Sequence, residues 1–187
     1  MMRITLPTSI TLFRIGLIPL FVVVFYLPFS WSNIVAAAIF GLASITDWID
    51  GYLARRLKQE SPFGAFLDPV ADKLMVVVAI VVLVEAHPSI YIALPSIIII
   101  AREISISALR EWMAGLGNST MLKVSFIGKA KTTTQLISLL FMIYSEPFYD
   151  LPIFQIGLLG YYAAAILTIY SMVIYLKAAW PVIVKNS

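Results

Sequence analysis

Four aspartates between residues 47 and 72 are the side chains of this sequence best suited to chemistry. Asp47 and Asp50 are three apart and Asp68 and Asp72 four apart, and on a helix either spacing puts both carboxylates on one face. If 57–65 is the turn of a helical hairpin, the two pairs face each other at similar depth and four carboxylates converge. Left alone, such a group repels itself and takes up protons. Hard divalent cations, which prefer oxygen ligands, resolve the conflict. Gly51 beside Asp50 and Gly64 one turn before Asp68 leave room for a ligand or a second backbone to come close. The cluster reads as a site for one or two metal ions. Helix capping, or pairing with Arg55, Arg56 and Lys73, explains any single aspartate. It does not explain four, because ionisable groups within membrane spans are costly and functional by default.

The rest of the composition says where this site must sit. Of 187 residues 61% are hydrophobic and only 12% charged, with mean hydropathy +0.96. A soluble domain of this size carries about 25% charged residues, so most of this chain faces lipid. There is no cysteine and only one histidine, His87. Thiol nucleophiles, disulfides and thiolate or histidine metal sites are thereby excluded, and oxygen ligation of Mg2+, Mn2+ or Ca2+ is left. The net charge of +3 is spread over helix ends, and no nucleic-acid partner is expected.

Six spans position these groups, each needing about 20 predominantly apolar residues. No charge occurs from Ile15 to Thr46, and Leu27-Pro28-Phe29-Ser30-Trp31-Ser32-Asn33 breaks that run into helices over 7–27 and 32–56. Further helices are predicted over 66–86, 91–114, 121–145 and 151–177. Gly115-Leu116-Gly117-Asn118 supplies a C-terminal stop. The turns at 27–33, 85–91 and 145–153 carry no Lys or Arg, whereas the N-terminus, 55–60, 110–123 and the C-terminus do. The positive-inside rule then makes both termini cytoplasmic. No cleavable signal peptide, soluble appendage or repeat is read, so 1–187 is one membrane domain.

With its spacing written out, the segment is Asp47-x2-Asp50-Gly51-x2-Ala54-Arg55-x8-Gly64-x3-Asp68-x3-Asp72. Eight specified residues match by chance on the order of 10⁻¹⁰ per starting position. The segment resembles, at every defined position, the signature of the CDP-alcohol phosphotransferases, which join an alcohol to the phosphatidyl or related group of a CDP-activated donor. The resemblance implies an all-α integral membrane enzyme of six transmembrane helices, homodimeric, with a polar cavity facing the cytoplasm. It assigns metal binding to Asp47, Asp50, Asp68 and Asp72 with two Mg2+ or Mn2+ ions, and the general base to Asp72. CDP-lipid contacts fall on Asp47, Asp50, Gly51, Ala54, Arg55, Gly64 and Asp68.

The acceptor alcohol must be chosen outside that motif. Glu103 and Arg110 lie about 20° apart in helical projection, so Arg110 with Lys129 and Lys131 can form a cationic pocket at the cytoplasmic mouth. Such a pocket suits phosphate, which prefers several charge-assisted donors. Arg102, far from either end of its helix, must face protein or water, and Glu103 is its expected partner. Arg3, Lys123, Lys177 and Lys185 read instead as headgroup anchors. Ala101-Arg102-Glu103-Ile104, Leu109-Arg110, Gly128-Lys129-Ala130-Lys131-Thr132, Asp68-Pro69-Val70-Ala71-Asp72-Lys73 and the opening Leu6 to Arg14 together resemble one subgroup of that family, the bacterial phosphatidylglycerophosphate synthases. That likeness covers nearly the whole chain. It implies CDP-diacylglycerol as donor, sn-glycerol 3-phosphate as acceptor, membrane lipids as neighbours and the bacterial inner membrane as location. Arg14 joins Arg110, Lys129 and Lys131 as an acceptor-phosphate residue. Where many relatives have asparagine after the first proline this chain has Thr8, so the asparagine contact to the nucleotide does not carry over and the Thr8 hydroxyl is its expected substitute. The competing readings are a synthase of the same family with another acceptor and, outside the class, a divalent-cation transporter.

Overall fold

A computed structural model describes residues 6–57, 62–116, 126–146 and 151–185; the side chains of 47–57, 68, 72 and 129, with some neighbours near helix ends, lie outside that description. The described residues form six helices and no strand: α1 Leu6–Phe25, α2 Ser32–Leu57, α3 Pro62–Ala86, α4 Ile90–Gly115, α5 Phe126–Tyr144 and α6 Ile153–Lys185. The all-α class and the six-helix order are those read from the sequence. Among the described residues α1, α4 and α6 are long and apolar enough to cross a membrane, while the apolar part of α2 is the stretch Ser32–Thr46.

Local chemistry explains most of the boundaries. Leu27 precedes Pro28, which disfavours helix, and the chain reverses with the Phe29 amide donating to Leu27 O and the Ser32 hydroxyl to Phe29 O at 2.8 Å. Ser89, after Pro88, caps α4 by accepting from the Tyr91 amide at 3.3 Å. Two boundaries differ from expectation. α3 begins at Pro62 rather than Phe66, because the fixed φ of proline suits a first helical turn where its missing N–H costs nothing. α6 runs on past Lys177 to Lys185: Lys177 is exposed, and beyond it Ala179 and Val182 are buried in a cluster with Ile106, Met113 and Tyr175. The expected start of α5 at Met121 lies outside the described residues.

The central helix is α3, which packs against α1, α2, α4 and α5; α6 closes the far side against α4 and α5. Phe21, Phe40, Ile80, Leu83, Ile99, Leu139 and Ile143 fill the middle. Phe13, Val23, Ile97, Leu159 and Ile166 are exposed. Large apolar groups exposed on several helices fit contact with lipid tails and not with water. α5 and α6 approach closely because Gly157 faces Ser138 O, to which an added Cβ would come within 2.9 Å, and Gly160 faces the Ser138 side chain. Small residues at such a crossing let helices meet without a hydrophobic driving force between them.

One end of the bundle is tied across by polar and ring contacts. Tyr26 donates to Glu85 at 2.8 Å, Tyr162 to Tyr91 O at 2.7 Å, and His87 lies against Phe154. The turns at this end are those without Lys or Arg.

Candidate active site

α2 and α3 are consecutive, touching helices, and the four aspartates fall at matched levels on them. Asp47 and Asp50 precede the end of α2 by ten and seven residues, about 15 and 10 Å of rise. Asp68 and Asp72 follow the start of α3 by six and ten residues, about 9 and 15 Å. Helix from Pro62 on takes up part of the turn expected over 57–65, and the facing of the two pairs lies outside the described residues. The side chains of Asp47, Asp50, Asp68 and Asp72, like those of Ala54 and Arg55 and the surroundings of Gly51, lie outside the described residues, as does the Lys129 side chain. As a donor set, four carboxylates on two neighbouring helices fit hard divalent cations and no soft metal.

Several polar residues of α1, which packs on α2 and α3, are buried. Thr8, Thr11 and Arg14 line the inner face of α1, with Arg14 only 1% exposed, and α1 packs on the two aspartate helices. Gly64 is buried in α3. Arg14 thus belongs by position to the carboxylate helices, not to the cations of α4 and α5. Lys73, next to Asp72, donates to the Ser107 hydroxyl of α4, a tie between α3 and α4 that no reading of Lys73 as an aspartate partner provides.

The cations form a second centre where α4, α5 and α6 meet. Glu103 accepts from the Lys131 ammonium and pairs with Arg102 at 3.5 Å. Arg102 also donates to the Ser171 hydroxyl at 3.1 Å, and Arg110 to the Tyr175 hydroxyl at 2.9 Å. Both guanidinium carbons lie over the Tyr175 ring, 5.5 Å from its centroid for Arg102 and 5.0 Å for Arg110. Lys131, expected at an open mouth, is instead 1% exposed and held against Glu103. The Arg102–Glu103 pairing is as expected from the sequence.

Among the described residues Arg102, Arg110 and Lys131 stand around the one carboxylate of Glu103, an excess of positive charge. Three buried atoms near it that can donate, Arg102 Nε, Arg110 Nε and Thr168 Oγ1, have no hydrogen-bond partner among the described residues. Buried polar atoms are ordinarily paired, and an uncompensated charge in a low dielectric is costly. The arrangement is therefore suited to an anion with several acceptor oxygens. Sequence reasoning missed the α6 wall, Thr168, Ser171 and Tyr175. Its only signal was a 3,4 spacing of hydroxyl groups inside an otherwise apolar helix.

The family model for CDP-alcohol phosphatidyltransferase matches residues 4–181. A protein of Salmonella paratyphi A, named CDP-diacylglycerol–glycerol-3-phosphate 3-phosphatidyltransferase, is 51% identical over 178 residues, 95% of this chain and 96% of its own length. Proteins of the same name from Pectobacterium atrosepticum and Shigella flexneri serotype 5b are 52% and 50% identical over the same shares of each chain. With a family match across both the aspartate helices and the cation cluster, the chain belongs to the CDP-alcohol phosphatidyltransferase family.

Proposed function

We propose that this enzyme transfers the phosphatidyl group of CDP-diacylglycerol to sn-glycerol 3-phosphate, releasing CMP and forming phosphatidylglycerophosphate. The observation that carries the reading is the pairing of two centres: four aspartates at matched levels of α2 and α3, and, among the described residues, an excess of positive charge on α4 and α5. A synthase acting on an uncharged alcohol has no use for the second centre.

In this reading Asp47, Asp50 and Asp68, with Asp72, hold two Mg2+ or Mn2+ ions, which when bound supply charge neutralisation on the diphosphate. Thr8, Gly51, Ala54, Arg55 and Gly64 border the nucleotide. Arg110, Lys131 and Lys129, with Arg14 on the aspartate side, draw in the acceptor's phosphate and leave its primary hydroxyl directed at the phosphorus. Asp72 takes the hydroxyl proton as the new O–P bond forms and the bond to the CMP oxygen breaks. The lipid tails stay in the bilayer. The enzyme sits as a homodimer in the bacterial inner membrane with this site on the cytoplasmic side, an orientation supported by the Lys- and Arg-free turns at the opposite end.

Acceptor competition tests the reading. Purified enzyme with CDP-diacylglycerol should release CMP with glycerol 3-phosphate far faster than with serine, inositol phosphate or phosphatidylglycerol. Turnover with one of these and none with glycerol 3-phosphate would refute it.

A further inference from the structure

We propose that Tyr175 of α6 is a positioning residue that presents Arg110 to the acceptor's phosphate; the inference rests on the reaction proposed above. Tyr175 is 3% exposed. Its hydroxyl accepts from Arg110 and its ring lies under the guanidinium groups of both Arg110 and Arg102. Arg110 stands five residues before the end of α4, about 7 Å of rise. From that depth a long cationic side chain can snorkel out to the headgroups. The phenol holds it back by a charge-assisted hydrogen bond and by attraction to the ring face.

The same ring answers a second difficulty. Arg102 and Arg110 repel each other, and Glu103 is already engaged by Arg102 and Lys131. A π face attracts both cations without adding a formal negative charge, so the excess positive charge is kept for the incoming anion. Glu or Asp at position 175 would spend that charge. Ser171, one turn earlier on α6, holds Arg102 by its hydroxyl, so α6 sets both arginines with neutral groups.

Steady-state kinetics with each substrate varied in turn tests the assignment. Tyr175→Phe keeps the ring and removes the hydroxyl. It should raise KM for glycerol 3-phosphate about tenfold, the effect of losing one hydrogen bond to a charged group, with kcat and the KM for CDP-diacylglycerol within twofold of wild type. Tyr175→Leu, which loses the ring as well, should raise it further. In the Arg110→Ala background Tyr175→Phe should have little added effect, because coupled residues are non-additive. Tyr161→Phe is the control. It removes an equally buried hydroxyl, paired with Ser96 at 2.9 Å, and should leave the KM for glycerol 3-phosphate unchanged. An unmoved KM in Tyr175→Phe, an equal rise for both substrates, or full additivity with Arg110→Ala would overturn the assignment. A wild-type enzyme that releases no CMP with glycerol 3-phosphate would instead defeat the reaction, and this assignment with it.

Discussion

Asp72 and Glu103 are both carboxylates in membrane helices, yet the same change at each should do opposite things. Asp72→Asn removes the proposed base and keeps the side chain's size. Turnover should fall by about 10²- to 10⁴-fold, the worth of general base catalysis, with an unchanged melting temperature. Glu103→Gln strips the buried Lys131 and Arg102 of their counter-charge. Breaking such a pair costs about 3–5 kcal/mol, so the melting temperature should drop. Glycerol 3-phosphate, bringing its own negative charge, should restore more of it in Glu103→Gln than it adds to wild type. An unchanged melting temperature without ligand would show that Glu103 is not the counter-ion.

At the scale of elements, the narrow crossing of α5 and α6 is the most sensitive packing in the bundle. Gly157→Ala places a Cβ within 2.9 Å of Ser138 O, a backbone atom that cannot swing aside. Overpacking of this kind costs about 1–3 kcal/mol, and thermal unfolding in detergent should show it as a lowered midpoint. A variant as stable as wild type would mean that the helices can separate without loss. The helices themselves were legible in the sequence, because charge-free runs and Pro-rich turns mark spans directly. The misjudged ends of α3 and α6 share a cause. Residues 62–65 lie before the apolar run and Lys177 at the end of one, but proline fits a first turn and a lysine can extend outward while its helix continues. The site was half legible. Fixed spacing announces the carboxylates of 47–72, whereas the burial of Lys131 and the part played by Tyr175 depend on which helix faces α4, and no linear pattern encodes that.

Taken as a whole molecule, the chain separates a membrane-facing wall from a polar interior toward one end. A groove of about 710 Å3 between α2 and α5 is lined by Ile34, Ala38, Leu42, Ile45 and Phe141 among others and belongs to that wall. The proposed carboxylate centre on α2 and α3 and the cation cluster among α4, α5 and α6 are joined through α3, which touches both α4 and α5. A transporter needs the first centre and not the second; a transferase with a phosphate-bearing acceptor needs both at once. The most direct measurement is CMP release from CDP-diacylglycerol by the purified protein, with glycerol 3-phosphate and Mg2+ or Mn2+ each supplied or withheld. Release only when both are present, with an equal amount of phosphatidylglycerophosphate formed, is the expected result. Release that persists without glycerol 3-phosphate, or in excess chelator, would contradict the two-centre reaction.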